Sequence, residues 1–149
     1  MINARSETAA QKPSFKNLIA KKRCLIPADG FYEWKKSNKT KTPMRVTLKD
    51  KELFAFAGLW NTWNDPKGES IDSCTIITCS PNPFMKQIHD RMPVILSPKA
   101  EELWLDPELS DTAKLTGILV PYKAELSAYP VSTLINSART DVPECINHI

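Results

Sequence analysis

The sequence predicts one β-rich domain in which a few short helices flank several strands, and three observations carry that expectation. Apolar runs of strand length recur along the 149 residues, the barest being Leu53-Phe54-Ala55-Phe56-Ala57-Gly58-Leu59-Trp60, apolar on both faces like a buried central strand. Helical spacing appears only in short stretches opened by proline. No repeat, low-complexity tract or linker divides the chain, and its length suits a single domain over residues 1–149.

Taken in order, Asn3-Ala4-Arg5-Ser6-Glu7-Thr8 has too few apolar residues for a core strand and reads as a frayed terminus. Phe15, Leu18, Ile19 and Lys22 follow helical spacing behind Pro13 and Ser14, with Lys16, Lys21, Lys22 and Arg23 forming a basic exposed side and last turn. Phe31 to Lys36 and Met44 to Leu48 flank the polar turn Ser37-Asn38-Lys39-Thr40 as a hairpin, whose Lys35, Lys36, Lys39 and Lys41 form either a solvated tip or a phosphate-tracking edge. Gly58, in the apolar strand, leaves room for a second backbone. Asn61 to Ser70 reads as a surface loop whose Trp63 either stacks on a base or folds back on the core. Cys74 to Ser80 is a β-branched interior strand, Val94 to Leu96 a short one, Ser97 caps a helix from Pro98 to about Leu105, and a second helix follows Asp111. The tail adds a strand near Tyr129-Pro130-Val131 and an extended end at Pro143-Glu144-Cys145, with His148 in solvent.

Composition narrows the function classes. Without a long apolar run or a secretory leader, the chain reads as cytoplasmic, with no membrane partner. A net charge of +3 leaves any nucleic-acid role to local clusters of Lys and Arg. Four cysteines with no Cys-x-x-Cys pair, and two histidines, argue against a zinc site, and neither metal nor cofactor is expected. We read Cys24, Cys74, Cys79 and Cys145 as buried thiols; Cys74 and Cys79, five apart, face opposite sides of their strand.

Two stretches concentrate chemistry. In Cys24-Leu25-Ile26-Pro27-Ala28-Asp29-Gly30-Phe31-Tyr32-Glu33-Trp34 a carboxylate sits inside an apolar and aromatic run. On a strand, Glu33 shares a face with Phe31 and Lys35, and burial there raises a carboxyl pKa towards the range useful for acid and base work; the alternative is a Glu paired with a nearby Lys. The second stretch is Gln87-Ile88-His89-Asp90-Arg91-Met92-Pro93, where His89 lies between turn residues with Asp90 and Arg91 beside it.

Together, Asn3-Ala4-Arg5-Ser6-Glu7-Thr8, Ala28-Asp29-Gly30-Phe31-Tyr32-Glu33-Trp34 and His89-Asp90-Arg91-Met92-Pro93 resemble, in order and spacing, the SOS-response-associated peptidase (SRAP) family of abasic-site processing proteins. Pro130-Val131-Ser132 and Asn136 resemble its closing segment. The resemblance implies an α+β fold, a β-rich distorted antiparallel barrel with flanking helices and a groove for single-stranded DNA. Its implied activity is a covalent DNA–protein cross-link with abasic sites in the DNA damage response, carried out near the nucleoid; the alternatives are a non-covalent single-strand-binding remnant or a Glu/His-dependent peptidase. It assigns Glu33 and His89 as the acid–base pair, Asn3 as a catalytic amide at the abasic sugar, and Arg5, Arg91 and Thr78 as DNA contacts. Family members open on Met-Cys-Gly-Arg, whose cysteine traps the sugar aldehyde, whereas this chain opens Met1-Ile2-Asn3. We therefore expect it to match the later two-thirds of the domain, N-terminally incomplete, with a strand edge free for self-association.

Overall fold

The computed structural model describes residues 2–37, 40–49 and 51–149, so Lys39 of the basic hairpin tip lies outside them. Twelve helices and strands follow in order: β1 (Asn3–Arg5), α1 (Ser6–Ala9), α2 (Pro13–Lys21), β2 (Arg23–Ala28), β3 (Phe31–Ser37), β4 (Thr40–Leu48), β5 (Phe54–Asn64), β6 (Ser70–Cys79), β7 (Met92–Pro93), α3 (Pro98–Leu105), α4 (Thr112–Gly117) and β8 (Leu126–Pro130). One sheet runs β1-β6-β5-β2 with β7 added on β6, and the other runs β3-β4-β8. The class is α+β, as expected. The two sheets do not join into one closed barrel among the described residues, and one pair, β1 with β6, is parallel.

Sheet register explains how the layers stack. Phe54, Phe56 and Gly58 alternate along β5 and face one side, where Phe31 of the smaller sheet meets Phe56 edge-on at 5.9 Å and Phe54 meets Phe56 at 5.3 Å. Ala57, Leu59 and Ile77 turn to the other side, which α2 and α3 cover with Phe15, Ile19 and Trp104. Trp104 is fully buried, and its indole N–H donates to the carbonyls of Cys24 (3.1 Å) and Gly58 (3.3 Å), so the largest core side chain leaves no polar atom unpaired.

Arg23 is not part of an exposed basic turn. It opens β2, and its guanidinium donates to the carbonyls of Ile19 (2.8 Å) and Ala20 (2.7 Å) at the end of α2, and to those of Trp104 (2.6 Å) and Asp106 (2.5 Å) at the end of α3. One cation thus satisfies the orphan carbonyls of two helix C-termini, the end that the helix dipole makes negative.

Several expectations are corrected. The segment Asn3 to Thr8 is not frayed: β1 docks on β6 with Asn3 opposite Ile76 and Arg5 opposite Thr78, and Ala4 and Ala9 are buried. Residues 61–64 and Ser70 are not loop but belong to the far end of the β5–β6 hairpin, closed by a turn in which the Asp65 carboxylate accepts from the Lys67 and Glu69 amides. Trp63, opposite Ile71, is 55% exposed and does not fold back on the core. Cys79 and Cys145 are buried, but Cys74 is exposed and Cys24 half-buried. The space beside Gly58 is taken by side chains of β2 rather than left for a backbone: a Cβ there would lie 2.8 Å from both Cys24 Sγ and Ile26 Cδ1. Pro143–Ile146 is a short 3₁₀ turn rather than extended. His148 is exposed, as expected, and its ring stacks on Tyr129 at 5.6 Å between centroids. Among the described residues no helix is long and apolar enough to cross a membrane.

Candidate active site

Glu33 is placed by its strand. Phe31, two residues earlier on the same face of β3, is anchored against Phe56, so Glu33 emerges at the rim of the space between the sheets, its side chain 21% exposed. Burial holds its carboxyl above the ordinary value of 4.5, with Asp90 adding to the rise; His89 and the Trp34 backbone N–H pull it back.

His89 is placed by a fork in the larger sheet. Beyond Ile77, β6 parts from β5 and the chain from Met92 to Leu96 enters the gap: Val94 N–H donates to Ile77 O, Ala57 N–H to Val94 O and Leu96 N–H to Ala55 O, each within 3.1 Å. The loop just before this insertion is thereby fixed, and it brings His89 Nδ1 to 3.7 Å from Glu33 Oε2 and 3.3 Å from Asp90 Oδ1. The same Nδ1 lies 3.1 Å from the Arg91 backbone N–H and 3.3 Å from the Arg91 carbonyl, so it accepts from the amide in one tautomer and donates to the carbonyl in the other. An open cleft of about 590 Å³ is lined by Glu33, Trp34, Lys36, Lys41, His89 and Asn136, and so wraps around the free edge of β3. A larger cleft of about 1010 Å³, lined by Pro81, Pro83, Phe84 and Tyr122 among others, carries the exposed Lys49–Glu125 ion pair but no carboxyl–imidazole pair among the described residues.

The remaining assigned residues form a second group. Asn3 and Arg5 alternate with buried Ala4, and both are exposed. Asn3, Ile76 and Gly58 stand in one row across the sheet, so Asn3, Arg5 and Thr78 share the side that carries Phe56 and faces the β3 sheet. They do not line the cleft itself. Arg91 is bound rather than free: its two Nη atoms donate to the Glu7 carboxylate (2.7 and 2.9 Å), and Nη2 also reaches Thr78 O (2.8 Å) and Thr78 Oγ1 (3.2 Å). The Arg91 guanidinium in turn holds Glu7 at a pKa of about 2.

The chain matches the family described as SOS response associated peptidase (SRAP) over residues 1–138. It belongs to the SRAP family. Abasic site processing protein YoqW of Bacillus subtilis is 53% identical over 148 residues, an alignment that takes in 98% of this chain and 66% of YoqW. Abasic site processing protein HMCES of Xenopus tropicalis is 34% identical, over 97% of this chain and 49% of its own. A crystal structure of a Bacteroides thetaiotaomicron protein superposes with a TM-score of 0.90 at 34% identity, covering 99% of this chain and 65% of that one. This SRAP chain therefore spans 66% of the length of YoqW and about half that of HMCES.

Within the SRAP chain, the family resemblance paired Glu33 with His89, and sequence reasoning missed three side chains that shape their surroundings. Glu7 clamps Arg91; Asn136 accepts the Trp34 indole N–H at 2.8 Å; and Ser80 donates to Glu7 at 3.2 Å. Asp90, named beside His89 in the sequence, lies 3.3 Å from its Nδ1. Glu7 and Asn136 lay in the matched motifs, but each partner is 84 or 102 residues away in sequence, beyond any local pattern. Burial lifts the Cys79 thiol to about 11 and raises that of Cys24, which keeps both protonated at neutral pH.

Proposed function

We propose that this chain acts on abasic sites in single-stranded DNA, with Glu33 and His89 moving protons at the exposed sugar. The observation that carries the reading is a carboxyl raised by burial, 3.7 Å from an imidazole, at the rim of an open cleft. Capture of a sugar aldehyde by an amine needs a proton taken from the nitrogen and one delivered to the carbinolamine oxygen as it leaves as water. Glu33, neutral over a wider pH range than a solvated glutamate, and His89, with Nδ1 3.7 Å from it, divide those two transfers. Asn3 holds the sugar, Arg5 grips a backbone phosphate, Thr78 makes a lesser contact, and Arg91 contributes to the positive field beside it. Lys36 and Lys41 extend that field along the edge of β3. Covalent cross-linking, lyase and peptidase activities belong to this proposal as properties of the whole protein, and the similarity to proteins named for abasic-site processing supports the DNA reading.

Fluorescence anisotropy with a single-stranded oligonucleotide carrying one abasic site, against its undamaged counterpart, tests the reading. The abasic strand binds more tightly, and Arg5→Ala lowers the slope of log affinity against log salt by about 0.7, the mark of one lost phosphate contact on a single strand. Arg5 is the clean probe, because Arg91→Ala also unpairs Glu7. Equal affinity for the two strands, with a slope that Arg5→Ala leaves unchanged, would refute the reading.

A further inference from the structure

We propose that Glu7 is a positioning residue: by clamping Arg91 it locks the strand that carries Asn3 and Arg5 to the loop that carries His89. The inference rests on reading Asn3, His89 and Glu33 as one site.

The two halves of that site lie far apart in sequence; β6 pairs with both β1 and β7, and the clamp is the side-chain link added to that backbone ladder. β1 is three residues long and pairs only with β6 among the described strands. Glu7 stands in α1, which starts immediately after Arg5, so whatever fixes Glu7 fixes β1. Its carboxylate takes two hydrogen bonds from the Arg91 fork and one from Ser80 Oγ at 3.2 Å. Arg91 spends Nη2 on Thr78 O and Thr78 Oγ1, and Thr78 Oγ1 itself donates to Ala4 O at 3.4 Å, in the middle of β1. Arg91's own amide then donates to His89 Nδ1, and His89 faces Glu33. An unbroken path of polar contacts therefore runs from α1 through Arg91 to the imidazole.

Arg91 has no second way of being satisfied in place. Its Nε is buried without a hydrogen-bond partner, and its side chain is 21% exposed. Replacing the Glu7 carboxylate by an amide exchanges two charged acceptors for one neutral acceptor and a donor facing the guanidinium, so a cation 21% exposed loses its counter-ion and swings towards water. Both anchors are then released together: α1 loses its partner, and the peptide at Arg91 is free to turn away from Nδ1.

The test uses the full chain without DNA. In Glu7→Gln, the Ile76 amide, which donates to Ile2 O, exchanges its hydrogen at least about tenfold faster, while Ala57, deep in β5, keeps its protection. The ring-nitrogen resonances of His89 move and those of His148, stacked on Tyr129, stay. Glu7→Asp, which keeps the charge at shorter reach, gives a smaller change of the same kind and stands in if Glu7→Gln does not fold. Unaltered Ile76 exchange and unaltered His89 resonances overturn the proposal, as does a loss of protection shared equally by Ile76 and Ala57, which marks a merely structural ion pair. A second arm adds the abasic oligonucleotide: movement in the free protein with no change in affinity keeps the clamp and sinks the site reading, whereas loss of affinity without movement in the free protein sinks the clamp.

Discussion

Glu33 binds its proton more tightly in the folded chain than in the unfolded one, because burial opposes the charged form. Its contribution to stability is therefore fully present below pH 4.5 and is lost as pH rises through the raised folded value. Glu33→Gln, uncharged at every pH, is expected to melt above the wild type near neutral pH, by about 1 kcal/mol as is common when a strained functional group is relieved. The gap closes as pH falls to where Glu33 is itself protonated. Thermal melts across that range check this, and a variant less stable than wild type at neutral pH contradicts it. The prominence of Glu33 was legible in sequence because a carboxylate in an aromatic run is costly to keep without purpose. Its nearness to His89 was not, since the pair depends on the fork between β5 and β6 that admits residues 92–96.

At the scale of elements, long apolar or β-branched runs announced themselves, and short polar ones did not. β1 is a strand only because Ile76 to Thr78 supplies its ladder, and the far end of the β5–β6 hairpin is polar enough to pass for a loop. Arg23 looked like one more surface cation because its four carbonyl acceptors end two helices that sequence alone does not bring together. Two predictions belong here. Gly58→Ala forces a Cβ to 2.8 Å from Cys24 Sγ and Ile26 Cδ1, and is expected to cost about 1–3 kcal/mol by overpacking, measured by urea denaturation. An unchanged midpoint would mean that β2 yields more readily than its packing indicates. For α1, Glu7 has a folded pKa of about 2, depressed from 4.5, so its contribution is present above pH 4.5 and is lost as pH falls towards 2. Amide shifts of Asn3 to Arg5 are expected to drift over that acid window before those of β5, and simultaneous loss of both contradicts the assignment.

For the molecule as a whole, β-rich architecture and a family resemblance were readable, while a closed barrel was not met among the described residues. The expected self-association has a physical basis in the hairpin arm, where Trp63 and Ile71 pair on one face at 55% and 51% exposure. Sedimentation velocity should show mass rising with concentration and falling back in Trp63→Lys, and a single monomer boundary throughout argues against it. We propose Glu33 and His89 as the place where an abasic strand is processed. Because the chain has only two histidines, their imidazole signals report on two separate surfaces, one in the cleft and one stacked on Tyr129. Titrating the protein with an abasic single-stranded oligonucleotide should shift the His89 resonances and leave His148 in place, and the undamaged strand should do so only at higher concentration. Movement of neither ring, or of both alike for damaged and undamaged strands, would contradict the claim.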